Sequence, residues 1–363
     1  KNSAYVSKSI LKQGLIYYNT DKDDAAITKF KKVVAEFPNS PESLEAVATA
    51  KSIYMANGKV GEYAAWVKTL SFVEVSDAEL DNDMYESAEK QYLANVPKKA
   101  VEGFTSYLAQ FPNGLHALKV HFYLAQLYFA DKLEKNAIPH YDYVVGQSRN
   151  EFTEQALVRL SEIHLKDKNC DLAIPVLKRL ETDAEYPQNT TFAQSNLMKC
   201  YYEKLDYVNS EIYSDKVLKN PKIEDKIKSD AQIIIARSAI KTNNDAKAKE
   251  AYGKLQKIAK GELAAEALYY DAYFKTKEGK FDASNKAVEK YSSTYSGYKY
   301  FGAKSLVLMA KNYYGLKDSF QATEILQSII DNFTEFPDVV TECQTELDKI
   351  KAEEAKTNSS VTK

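Results

Sequence analysis

The chain has 363 residues, 44% hydrophobic and 28% charged, so it has enough apolar surface for a large core and is neither disordered nor collagen-like. Its 49 basic and 51 acidic residues nearly cancel, and only Arg149, Arg159, Arg179 and Arg237 are arginine, which excludes nucleic-acid binding through a broad basic field. Cys170, Cys200 and Cys343 are widely spaced with no C-x-x-C pair, so no disulfide framework or zinc site follows from them and the redox compartment stays open.

From the N-terminus, Lys1 opens the chain without a Met or a signal pattern, as expected of a processed or trimmed protein. Tyr5, Val6, Ile10 and Leu11 follow almost at once with no polar cap before them, which reads as the C-terminal part of a longer array. No apolar run approaches the roughly 20 residues of a membrane span.

A repeat then runs along the chain. A first series, Gly14, Lys51, Ala88, Ala125, Ser161, Met198, Ala236, Ala272 and Ala310, is mostly small and recurs every 36 to 38 residues. Twelve positions after each member comes a second series: Ala26, Tyr63, Ala100, Ala137, Ala173, Ser210, Ala248, Ser284 and Ala322. Large rings such as Tyr17, Tyr54, Tyr128, Tyr201 and Tyr313 follow the first series by three, and Phe30, Phe104, Tyr141 and Tyr252 follow the second by four. This pattern predicts two amphipathic helices per unit, with small residues where they approach and rings filling the space around the contact. Polar stretches such as Thr20-Asp21-Lys22-Asp23-Asp24 supply the reversal inside a unit, and Phe37-Pro38-Asn39-Ser40-Pro41 or Phe111-Pro112-Asn113-Gly114 ends one. After the ninth unit, residues 337–356 form a charged amphipathic helix that reads as a C-terminal cap, and 357–363 are expected to be a disordered tail.

Gly14, Tyr17, Ala26, Phe30 and Pro38 stand at the mutual offsets of the tetratricopeptide signature, and Ala100, Phe104 and Pro112 repeat its second half. Residues 1–336 therefore resemble the tetratricopeptide-repeat superfamily, with a period of about 37 in place of 34 and without the signature Trp. The resemblance implies an all-α, right-handed α-solenoid of about nine helix pairs. The phrases Ala26-Ile27-Thr28-Lys29-Phe30 and Phe37-Pro38-Asn39-Ser40, with their counterparts around Ala100 and Phe111, are similar to envelope members of that superfamily that serve the Tol-Pal system and outer-membrane β-barrel assembly.

That resemblance also implies a concave groove lined by the first helix of each pair. The expected partner-binding residues are Tyr18, Tyr92, Phe129, Tyr202 and Tyr314, with Tyr as low-entropy anchors for a peptide or helix; packing between units is the alternative for each. Charges phased near the groove, among them Lys8, Glu89, Lys119, Glu162, Lys199, Arg237, Lys304 and Lys311, are mixed, with a basic bias toward the C-terminal third that would steer an acidic segment. His116 and His121 are five apart and share no helical face, and Asp77-Ala78-Glu79-Leu80-Asp81-Asn82-Asp83 lacks the Gly and Glu of a calcium loop and reads as capping. No catalytic motif is present and no metal or cofactor is expected. The resulting expectation is a noncatalytic protein-binding scaffold in the periplasm, associated with an outer-membrane assembly, with a cytoplasmic location as the alternative. A regulatory peptide sensor and the recognition arm of a larger enzyme are the alternative functions.

Overall fold

The computed structural model describes the backbone of residues 4–361 and the side chains of 5–356. Among the described residues there are nineteen helices and no strand. They fall into two compact units, Lys1–Ile163 and His164–Lys363, a division that the uninterrupted period does not announce.

In the first unit α1 (Ala4–Asn19) packs on α2 (Asp23–Glu36), and α3 (Pro41–Ala56) on α4 (Val60–Val67). α5 (Asp77–Leu93) then packs on α6 (Pro97–Gln110), and α7 (Ala117–Ala130) on α8 (Glu134–Gly146). α9 (Thr153–Lys166) crosses the boundary and is followed by α10 (Cys170–Asp183). The second unit continues with the pairs α11 (Pro187–Glu203) and α12 (Tyr207–Leu218), α13 (Asp225–Lys241) and α14 (Asp245–Leu255), α15 (Gly261–Lys277) and α16 (Phe281–Thr294), and α17 (Lys299–Gly315) and α18 (Ser319–Asn332). α19 (Pro337–Val361) closes it.

The small residues predicted to pair the helices do so. All nine of the second series are buried, as are all of the first except Lys51, and the residues four beyond the second series, Phe30 to Leu326, are buried without exception. At Gly14 an added Cβ would lie 2.5 Å from the Phe30 ring, so α1 and α2 approach as closely as they do only because position 14 has no side chain. The second helix pair departs from the others: α4 is only eight residues long and gives way to irregular chain up to Ser76.

Each first helix ends the same way. The residue seven after each first-series position has positive φ: Asp21, Gly58, Asn95, Lys132, Lys168, Leu205, Asn243, Gly279 and Lys317. The next N–H then reaches back to the carbonyl five residues earlier, as in Lys22 to Tyr17 at 2.9 Å and Asp206 to Tyr201 at 2.9 Å. This Schellman closure satisfies carbonyls the helix would otherwise orphan, and it turns the chain back on itself. Four second helices, α10, α12, α14 and α18, are capped by a polar side chain, with Asn169, Asp206, Asn244 and Asp318 each accepting from a backbone N–H three residues on.

Two expectations need correction. Cys170 and Cys200 are joined by a disulfide, with their Cα atoms 5.3 Å apart, because α10 and α11 pack side by side although 30 residues separate the cysteines. The helix expected to end at 356 runs on in α19 to Val361, since Lys351 to Val361 contains no Gly or Pro to stop it; residues 362 and 363 lie outside the described residues.

Candidate functional site

The residues singled out for partner binding sit at equivalent places on their helices but are not equally accessible. In the first unit Tyr18 is 38% exposed at the end of α1, whereas Tyr92 and Phe129 are half-buried. The Tyr92 ring stacks on Tyr123 of α7 at 4.5 Å and leans on Phe104 of α6. Phe129 meets the Tyr141 ring of α8 edge-on, and the Arg159 guanidinium of α9 lies 4.9 Å from its centroid. In the second unit Tyr202 tilts against Tyr207, and the Tyr314 hydroxyl donates to the Glu353 carboxylate of α19. Each of these four rings packs on a neighbouring element with one side and leaves part of itself uncovered.

The charges near these rings are mostly neutralised. In the second unit the Lys199 ammonium lies 2.7 Å from Asp230, Arg237 grips Glu266 through Nε and Nη2 at 2.9 and 2.5 Å, and Lys311 lies 2.6 Å from Glu342 and 3.3 Å from Glu346. These pairs share one register. The base stands one residue after the first-series position of its helix, and the acid six before that of the next first helix, taking Asp348 as the equivalent position in α19. An offset of 29 to 31 residues between base and acid is therefore the sequence signal that would have found them. The expected steering of an acidic segment by these three bases is weakened accordingly.

Arg237 and Glu266 form the most buried of the pairs. The Glu266 side chain is 3% exposed and also accepts from the Tyr252 hydroxyl of α14 at 2.9 Å. Burial raises the phenol of Tyr252 far above its ordinary range, with the adjacent carboxylate adding to the effect, so Tyr252 is a permanent donor. In the first unit Lys51 lies 2.6 Å from Asp83, and Asp81 accepts from the Tyr107 hydroxyl at 2.6 Å and the Leu115 N–H at 2.8 Å. The acids from Asp77 to Asp83 thus lie on α5, begun by a Ser76/Glu79 capping box, and not in a calcium loop.

His116 donates from Nε2 to the Asn82 Oδ1, 2.6 Å away. His121 of α7 and His140 of α8, whose proximity sequence spacing did not suggest, bring their Nδ1 atoms within 2.9 Å. The Tyr143 ring stacks on His121 at 3.7 Å, and Tyr128 lies over His140. Burial is the main cause that lowers His121 to about 4, helped by the neighbouring imidazole, and burial also lowers His140. Among the described residues, no three His, Cys, Asp or Glu side chains are grouped as a metal would require, and no helix is long and apolar enough to cross a membrane.

A tetratricopeptide-repeat family model matches residues 8–40 and 304–335. No curated protein sequence matches the chain. Similar solved structures include the tetratricopeptide domain of P58(IPK), at 14% identity and TM-score 0.29 over 96% of this chain and 99% of that one. PilF of Pseudomonas aeruginosa is 16% identical with TM-score 0.37, over 62% and 97% of the two chains. Yeast Tom70 is 13% identical with TM-score 0.37, over 98% and 97%.

Proposed function

From the premise that this chain carries tetratricopeptide repeats, we propose that it is a noncatalytic scaffold that binds other proteins outside the cytoplasm, as a periplasmic component of a bacterial outer-membrane assembly. The repeat by itself supports a protein-interaction role. The observation that carries the proposal further is the recurrence, in each unit, of half-buried aromatic rings four residues beyond the first series: Tyr92 and Phe129 in one, Tyr202 and Tyr314 in the other. A ring fixed on one side by its neighbours and open on the other presents contact area at little entropic cost, which suits a protein partner. The Cys170–Cys200 bridge supports an oxidising compartment, because such bonds persist in the periplasm and are reduced in the cytoplasm.

A photocrosslinking amino acid placed at Tyr18, Tyr92, Tyr202 or Tyr314 in living cells tests the reading. Crosslinks from several of these positions to the same envelope protein are expected; crosslinks only from exposed sites off the series, such as Leu93 and Leu172, would overturn it. The compartment is tested separately by alkylating cell lysates quenched in acid, where Cys170 and Cys200 should be protected until reductant is added.

A further inference from the structure

The register that pairs successive first helices in the second unit is broken at one step. From α11 to α13, α13 to α15 and α17 to α19, a base one residue after the first-series position meets an acid on the next first helix. From α15 to α17 the same two positions hold Tyr273 and Lys304. The base is replaced by a ring and the acid by a base, so the register position on α15 carries no carboxylate to meet Lys304.

Lys304 has no ion-pair partner among the described residues, and its ammonium rests between rings, 5.8 Å from the Tyr269 centroid and 5.6 Å from that of Tyr300. The acids nearby are already engaged: the Tyr300 hydroxyl donates to Asp338 at 2.9 Å, and Lys311 holds Glu342 and Glu346. On α15, Asp271 is held by Lys275 at 2.7 Å. Tyr300 is partly uncovered, as are Tyr273 and Phe301, whose rings lie 6.4 and 5.4 Å from that of Tyr269. In a row of neutralised pairs, this step presents a cation on an aromatic floor.

We propose that Lys304, with Tyr269 and Tyr300 beneath it, receives an Asp or Glu side chain of a partner segment, whose apolar flanks lie on Tyr273 and Phe301. This rests on the reading of the chain as a protein-binding scaffold and deepens it by assigning one subsite and its chemistry. An ammonium held over rings keeps its charge and its three donors, and the rings fix its position without neutralising it. A single ammonium with no guanidinium fork beside it suits a singly charged carboxylate better than a phosphate, which is best held by several donors at once.

The test uses the full chain and fluorescein-labelled decapeptides of one Leu/Tyr-containing scaffold carrying Glu, Gln, Lys or phosphoserine at the centre, read by anisotropy at low and high salt. The Glu peptide should bind about three- to five-fold more tightly than the Gln peptide at low salt, with the margin shrinking as salt screens the pair. Lys304→Met, which keeps the stem over the rings, should remove the margin. The double variant Tyr273→Arg/Lys304→Glu restores the register of the other steps, and should stay folded by circular dichroism while losing the preference for Glu. Equal binding of Glu and Gln peptides, a stronger preference for phosphoserine, or a margin that survives Lys304→Met would each overturn the assignment and leave the scaffold reading standing. Binding of none of the peptides would also overturn it, and the crosslinking experiment, which needs no peptide, then decides the scaffold reading alone.

Discussion

Leu205 occupies the left-handed position of its turn at φ 61 with 69% of its surface exposed, where other units use Asp, Asn, Gly or Lys. The left-handed region costs an ordinary L-residue about 1 kcal/mol or more, and glycine nothing, although glycine adds freedom to the unfolded chain. Leu205→Gly should therefore raise stability by about 0.5–1 kcal/mol, whereas Asn95→Gly should change little; urea midpoints of the two variants check the contrast. The His121–His140 contact sets a pH dependence. With one Nδ1–H donating to the other Nδ1, the folded state favours the neutral rings, so both folded values lie below the unfolded value of about 6.5. The unfolded chain binds protons first, so stability is fullest above about pH 6.5 and falls as pH drops toward 4. After discounting for the water that reaches both rings, the loss is about 1–2 kcal/mol. Comparing wild type with His121→Gln at pH 7 and pH 4.5 should show a smaller pH-dependent drop in the variant. The contact between His121 and His140 was not legible in the sequence, because His140 belongs to the next helix and nothing in the spacing selects it.

Between elements, the Arg237–Glu266 pair joins α13 to α15 and Tyr252 adds α14. Arg237→Met strands a carboxylate that is 3% exposed and should cost about 2–4 kcal/mol by denaturant unfolding. Arg237→Met/Glu266→Met removes both charges and should recover most of that loss, since the desolvation penalty disappears with them. The helices and their pairing contacts were readable from Gly14, Ala26, Phe30 and their repeats, because small and large residues at a 37-residue period have one simple packing solution. The ion pairs were half readable: Lys199, Arg237 and Lys311 share one phase in the repeat, but single charges on a helix do not reveal which carboxylate faces them. Tyr92 and Phe129 show the same limit, since a ring at a given register is equally suited to a partner and to the ring on the adjacent helix until the neighbouring helix is in place.

Over the whole chain, a repeat array is held together by neighbour-to-neighbour contacts, so stability is local. The bond between Cys170 and Cys200 lies within the His164–Lys363 unit and closes a loop of 30 residues, worth about 3.5–4 kcal/mol by the chain-entropy argument. Reductant should thus raise amide exchange in residues 164–363 and leave 1–163 at its oxidised rates, as hydrogen exchange with mass spectrometry of the intact chain will report. Uniform loss of protection would mean that the two units unfold as one. The division into units was not legible, because the first and second series pass through residue 163 with an undisturbed period.

The left-handed turns have a consequence for how such a chain changes length. Every one of them closes on bonds made inside its own helix pair, at one fixed distance from the small residue that pairs the helices. A recombination event that joins one turn to the equivalent turn of another pair preserves every bond of the reversal it cuts through. Genes of this kind are thereby free to gain or lose whole modules, and selection acts on the seams between modules, where a misplaced carboxylate or a lone lysine is the cost or the opportunity.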